Sequence, residues 1–235
     1  MPTPVTTPIK ALVFDAYGTL YDVHSVVEAC ESRWPGHGMS LSQVWRCNQL
    51  EYTWLRSLMG RYADFETVTR QSLRYACRAL ELQLTPADED MLIERYRRLT
   101  PFPEAAAALR ALEPMPLAIL SNGSPKMLDA LVRSSGFDQS IGLVLSADAV
   151  RIFKPAPAVY RLATDALSLQ TAEIGFVSSN CWDACGAKAF GFQVFWVNRS
   201  HAAPEELSIT PDHVLDDLGQ LATLVGAKDA KGAKP

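Results

Sequence analysis

No apolar run in the 235 residues approaches the roughly 20 that a membrane-spanning helix needs. The segment Met1 to Lys10 lacks the charged start and apolar stretch of an export signal. Positive charge is not in excess either. The 22 Lys and Arg stand against 26 Asp and Glu, leaving a net charge of −4 and a pI near 5.6. That balance argues against a nucleic-acid partner or an anionic membrane surface. A local run, Arg95, Arg97 and Arg98, reads as a solvated helix face. Cysteine is sparse: Cys30, Cys47, Cys77, Cys181 and Cys185 form an odd set without a Cys-x-x-Cys pair. Cys181 and Cys185 share a helix face, but no His or further Cys lies near them to complete a metal site. Reduced thiols in a cytoplasmic protein are the expectation. There is no internal repeat.

What is present is apolar and periodic. The hydrophobic share, 48%, suffices for one sizeable core or a core with a smaller satellite. Short apolar runs at Ala11 to Phe14, Leu117 to Leu120, Leu143 to Leu145, Ile174 to Val177 and Val194 to Val197 have strand length. The later ones are each followed by helical spacing, the pattern of βαβ units on a parallel sheet. Ser124-Pro125 predicts an N-cap with proline at the first helical position, opening a helix to about Ser134.

Residues 22–100 break this alternation. Leu41, Val44, Trp45, Tyr52, Leu55 and Met59 make the apolar stripe of an amphipathic helix. Phe65 to Leu82, and Asp88 to Leu99 after Thr85-Pro86, read as further helices. The expected organisation is an α/β catalytic core over 1–21 and 101–225, interrupted by a helical cap over 22–100. Residues 226–235, rich in Gly, Ala and Lys, read as a disordered tail.

Four polar islands follow strand-like runs: Asp15-Ala16-Tyr17-Gly18-Thr19, Ser121-Asn122-Gly123, Lys154-Pro155, and Ser178-Ser179-Asn180-Cys181-Trp182-Asp183. Ligand sites of open α/β sheets lie outside the carboxyl ends of their strands, where these islands fall. Taken singly each has an ordinary explanation. Asp after a strand is a common turn residue, Arg46 on a helix a common surface group, and Asn180 with Asp183 a common cap. Leu50, Phe65, Tyr160 and Trp182 alone would read as core. Their joint order is what carries a functional reading.

That order resembles the haloacid dehalogenase superfamily over about residues 9–200. Asp15 to Thr19, Trp45-Arg46 with Gln49 to Leu58, Ser121 to Gly123, and Ser178-Ser179-Asn180 with Trp182-Asp183 resemble the L-2-haloacid dehalogenases in particular. The resemblance implies a doubly wound, Rossmann-like α/β core with a parallel sheet, an inserted all-helical cap, no cofactor, no metal and a homodimer formed through the cap. The residues support that branch on chemical grounds. A phosphatase of the superfamily uses a carboxylic acid two residues after the nucleophile to protonate a leaving alcohol. Here that position is Tyr17. It also gathers carboxylates around Mg²⁺, a hard cation that prefers oxygen. The fourth island offers Ser178 and Ser179 in the early positions and Asp183 as its single acid. Halide leaves as a stable anion and needs neither proton nor metal.

By resemblance, Asp15 attacks C2 of an L-2-haloacid, and water then hydrolyses the ester at the Asp15 carbonyl, giving a D-2-hydroxyacid. Thr19 orients Asp15. Lys154, Ser178, Asn180 and Asp183 hold it and the water, and Tyr160 supports Lys154. His24, His37, His201 and His213 lie outside the islands, so Asp183 and Lys154 are the groups able to exchange protons. Ser121, Asn122 and the backbone at Ala16 suit the substrate carboxylate. Arg46 receives the halide. Tyr17, Leu50, Phe65 and Trp182 make the apolar wall. Cys47 stands where a polar amide is expected, which puts one pocket contact and the halide preference in question. The competing readings are a Mg²⁺-dependent phosphatase and a non-catalytic anion-binding module.

Overall fold

The computed structural model describes residues 7–226. The tail expected from residue 226 lies, beyond Gly226, outside the described residues. β1 (Ala11–Phe14), β2 (Leu117–Ser121), β3 (Leu143–Ser146), β4 (Ile174–Ser178), β5 (Gln193–Val197) and β6 (His213–Leu215) form one parallel sheet in the order β3-β2-β1-β4-β5-β6. The chain winds outward from β1 to β3, returns to the middle and winds the other way. The order therefore reverses between β1 and β4, and the crevice that opens there is the natural ligand site of a doubly wound sheet.

Every residue of β1, β2 and β4 is buried. Both faces of the central sheet are covered, which is why these strands read as continuous apolar runs rather than alternating ones. Burial of one such large apolar side chain contributes about 1.5–3 kcal/mol. Around the sheet, α6 (Pro125–Ser135) and α7 (Pro157–Leu167) pack on its β2–β3 side and α8 (Cys181–Phe190) on β4 and β5, in company with α5 (Ala105–Ala111) and α9 (Leu221–Leu224). β6 was not expected: three residues at a sheet edge, with only Leu215 buried, leave no periodic signal.

Between β1 and α5 lie four helices, α1 (Val27–Arg33), α2 (Gly38–Leu58), α3 (Phe65–Ala79) and α4 (Pro86–Tyr96). The chain enters and leaves this insert side by side. Asp22 N donates to Thr100 O at 2.8 Å, Phe102 N donates to Leu20 O at 3.0 Å, and Tyr21 bridges Pro101. Thr85 caps α4 through a reciprocal bond with Asp88, so the helix begins at Pro86 rather than Asp88. α3 stops at Ala79 and α4 at Tyr96, each short of its expected end.

The stripe expected on α2 is only half correct. Leu41 and Trp45 are buried, but Leu55 and Met59 face outward. The buried face continues instead through Ser42, Gln49 and Thr53, whose polar groups are bonded inside; Gln49 Nε2 donates to Thr69 Oγ1 at 2.7 Å. Arg97 is likewise no free surface charge, since it pairs with Glu66 of α3 at 2.6 Å. Among the described residues no helix is long and apolar enough to cross a membrane.

Candidate active site

Asp15 follows β1, the strand beside the reversal point. Gly18 has φ of +89°, a conformation that suits glycine. The turn it permits sends Gly18 N–H to Tyr21 O at 2.7 Å and brings the Thr19 hydroxyl back to Asp15 Oδ2 at 3.2 Å. Asn180 Nδ2, at the start of α8, donates to the same Oδ2 at 2.8 Å and to Tyr17 O at 3.0 Å. Lys154 Nζ donates to Asp15 Oδ1 at 3.1 Å. The nucleophile candidate is thus gripped on both oxygens, with its charge matched by a fully buried ammonium.

Lys154 also donates to Asp183 Oδ2 at 2.9 Å. Ser178 Oγ donates to that oxygen at 3.1 Å, and Tyr160 Oη donates to Asp183 Oδ1 at 2.7 Å. Tyr160 therefore supports Asp183 and not, as expected, Lys154. Gly186 makes this contact possible, because a Cβ there would stand 2.5 Å from Tyr160 Oη. Burial opposes the charge on Lys154, but Asp15 and Asp183 outweigh it and raise the lysine pKa. Burial pushes the Asp183 carboxyl up to about 6, with Asp15 adding to the rise and Lys154 opposing it. At neutral pH the ammonium cannot accept a proton, whereas the Asp183 carboxylate can.

The second island bonds to the third. Asn122 Oδ1 accepts from Lys154 N at 2.9 Å, and Ser121 Oγ accepts from Gly123 N at 3.2 Å. The backbone N–H groups of Ala16, Tyr17 and Asn122 have no partner among the described residues. They gather where the strand ends converge, a setting for a carboxylate.

Arg46 reaches in from α2. Nη2 donates to Tyr17 O and to Asn180 Oδ1, both at 3.4 Å, and Nη1 donates to Gln49 Oε1 at 2.8 Å. It makes no ion pair among the described residues, so its charge is available to an anion. The Tyr17 ring packs 5.0 Å from Phe65 and 5.6 Å from Tyr96. Burial raises the Tyr17 pKa, with Tyr96 adding to it, and leaves its hydroxyl without a partner. A proton donor in the place of the phosphatase acid is therefore missing. Trp182 packs edge-on against Trp54 of the insert at 5.4 Å. Leu50 is half-buried one turn beyond Arg46 on α2.

One expectation, a pocket contact at Cys47, is corrected. Cys47 is exposed and belongs to no pocket wall. Asn180 occupies the N-cap position of α8 without a side-chain cap bond, because its amide is engaged with Asp15 and Tyr17. Cys181 and Cys185 bond to the 205–209 loop, and among the described residues no three potential ligands cluster as a metal site. Other residues were not anticipated. Gln49 Oε1 also accepts from Tyr96 Oη at 2.9 Å, so these two hold Arg46 from behind. Gln49 stands three residues after Arg46, a helical neighbour spacing, and opens the Gln49 to Leu58 motif, but neither signal told which group it would hold. Trp54 carried only its place in the Gln49 to Leu58 motif, and Glu104 and Arg199 carried none.

The doubly wound sheet, the inserted helices and this carboxylate–lysine network define a capped α/β hydrolase. The model of the haloacid dehalogenase-like hydrolases matches residues 9–191. An (S)-2-haloacid dehalogenase of Pseudomonas putida is 48% identical over 217 residues, 92% of this chain and 97% of that protein. A haloacetate dehalogenase of Moraxella sp. is 47% identical over 219 residues, 92% and 98% of the two chains. The structure of an L-2-haloacid dehalogenase from Xanthobacter autotrophicus with chloropropionic acid covalently bound superimposes with a TM-score of 0.88 at 45% identity, covering 94% of this chain and 100% of that one. The chain belongs to the haloacid dehalogenase-like hydrolases, in the branch of the L-2-haloacid dehalogenases.

Proposed function

We propose that the chain hydrolyses L-2-haloalkanoic acids to D-2-hydroxyacids, inverting C2, by way of an ester on Asp15. The observation that carries this reading is the pairing of a gripped carboxylate, Asp15, with an ion-pair-free cation, Arg46, across one crevice. An oxygen of Asp15 forms the bond to C2 while the carbon–halogen pair leaves with the halide toward Arg46 and Asn180. Water then attacks the Asp15 carbonyl carbon, giving a proton to Asp183. Collapse of that adduct breaks the bond between the Asp15 carbonyl carbon and the substrate oxygen, and the departing alkoxide takes a proton back from Asp183, leaving as the hydroxyacid with the oxygen that Asp15 supplied. Ser121, Asn122 and the backbone N–H groups at Ala16 and Tyr17 receive the substrate carboxylate. Tyr17, Leu50, Phe65 and Trp182 enclose its carbon chain. Thr19, Ser178 and Tyr160 hold the two aspartates in register. The covalent complex of the Xanthobacter relative supports the ester route.

One assay tests the proposal: halide release from L- and D-2-chloropropionate without added metal, followed across pH. Release is expected from the L isomer alone. Because the Asp183 carboxyl lies at about 6, turnover should climb as pH rises through that value and then level off. Equal release from both isomers, or none from either, sinks the reading.

The division into a 22–100 cap and a core over 1–21 and 101–225 is part of this proposal, supported by the paired crossing at Tyr21 and Pro101. So is a homodimer through the cap. Leu58 of α2 is 84% exposed and Met59 62%, with Leu55 and Tyr75 beside them in the same helix pair. Such an apolar face is suited to a second copy. Sedimentation at micromolar concentration should give twice the chain mass, and a single-chain mass would reject the dimer. Five free cysteines support a reducing, cytoplasmic location.

A further inference from the structure

Arg199 follows β5 at the same edge of the sheet as the active site, and no step of the chemistry above uses it. Its guanidinium nevertheless ties three segments together. Nη1 donates to Ser179 Oγ at 2.8 Å and Gly18 O at 3.4 Å, and Nη2 donates to Thr19 O at 3.0 Å. Glu104 Oε1 accepts from Nε at 2.8 Å and from Nη2 at 2.7 Å. The Phe102 ring lies under the charge, 3.7 Å from ring centroid to Cζ. A planar fork serves all these acceptors at once, which a lysine cannot do.

The acceptors are not incidental. Ser179 N donates to Thr19 Oγ1 at 2.8 Å, and that oxygen in turn donates to Asp15 Oδ2. Arg199 thus holds the two residues whose mutual bond aims the Thr19 hydroxyl. Its other anchors, Phe102 and Glu104, stand just beyond the Pro101 crossing where the chain returns from the insert. Gly18 has no side chain to stiffen its turn, so the clamp supplies that rigidity from outside.

We propose that Arg199, held by Glu104, is a positioning residue that fixes the Asp15–Thr19 turn for attack on carbon. The inference rests on the reading of Asp15 as nucleophile. Arg199 touches no part of the substrate site, so its loss acts on the rate of ester formation and leaves substrate binding largely alone.

The test compares the full-length chain with Arg199→Met, Arg199→Lys, Ser179→Ala, Glu104→Gln and Thr19→Ala, using L-2-chloropropionate. Arg199→Met should lower kcat by about 10- to 100-fold with KM changed by no more than about threefold, as expected for a misplaced reacting group. Rapid quenching and mass analysis of the Asp15 peptide should show the ester forming more slowly by the same factor. Arg199→Lys should recover part of the rate. Arg199→Met combined with Thr19→Ala should lose less than the product of the two single losses, since both act through one turn. A folded Arg199→Met with unchanged kcat, or strictly multiplicative losses, overturns the inference. Should Arg199→Met fail to fold, Ser179→Ala and Glu104→Gln decide the matter: each is expected to slow ester formation, and full rates in both overturn it. Wild-type halide release that Asp15→Asn abolishes keeps the underlying reading intact throughout. A wild type releasing no halide overturns reading and inference together.

Discussion

Replacing Asp15 with Asn should abolish halide release from L-2-chloropropionate, lowering turnover by on the order of 10⁴-fold or more, because a covalent catalyst without its nucleophile retains only binding and electrostatics. The side chain keeps its size, and its one carbonyl oxygen can serve either Lys154 or the Thr19–Asn180 pair, where the wild type offers an oxygen to each. Folding should survive, with Lys154 still paired to Asp183 at 2.9 Å. A single turnover of the wild type in ¹⁸O water completes the experiment. Label should enter the Asp15 carboxylate first, and label appearing in the product hydroxyl would mean direct attack by water. A chain serving as a mere anion-binding module would be indifferent to the substitution.

The second large effect concerns Lys154. Its side chain is 1% exposed and lies between two carboxylates, Asp15 at 3.1 Å and Asp183 at 2.9 Å. Lys154→Met fills the same space beside Phe176 and removes the only cation bonded to either acid among the described residues. Breaking a buried pair in this way destabilises by about 3–5 kcal/mol, and here two acids are stranded instead of one. The loss should depend on pH. Without the ammonium, which opposes the rise, burial and the neighbouring Asp15 push the folded-state Asp183 pKa further up. A raised folded pKa for an acid means stability that is present at low pH and disappears as pH climbs through that pKa. Asp183 already sits at about 6 with Lys154 in place, so the variant's loss begins there and extends upward. Thermal unfolding should therefore separate wild type and variant little at pH near 5 and widely near 8, with activity absent at both. A constant separation across that range would mean that the carboxylates are not coupled through Lys154.

The parts of this site legible in the sequence were those whose identity and strand-end position are both unusual. Asp15, Asn180 and Asp183 each follow a fully buried strand and Lys154 follows the partly exposed β3, and the structure brings all four into one network. The parallel sheet was legible for a similar reason, since its central strands are apolar on both faces, whereas its strand order was not. What remained hidden was partnership. Tyr160 was assigned to Lys154 because nothing in one dimension tells which member of a buried pair a hydroxyl will reach. Gln49, Tyr96 and Arg199 look like ordinary helix or loop residues, and their contacts join positions 47 and 180 residues apart. α2 misled by its polar interior: Gln49 and Thr53 lie on the buried face while Leu55 and Met59 lie outside, so hydrophobicity alone drew the wrong stripe.

The central position of β1 has a consequence for the order in which the enzyme becomes dangerous to its own contents. During synthesis Asp15 emerges before its sheet partners, and its strand has no neighbour until Leu117 and Ile174 follow. The four helices of the insert make local contacts and can settle first. Lys154 arrives 139 residues after Asp15, and Asp183 later still. Until then the aspartate is an ordinary solvated carboxylate, a weak alkylation target like any other. The nascent chain carries no half-armed nucleophile, and reactivity switches on only once Lys154 and Asp183 have joined the site.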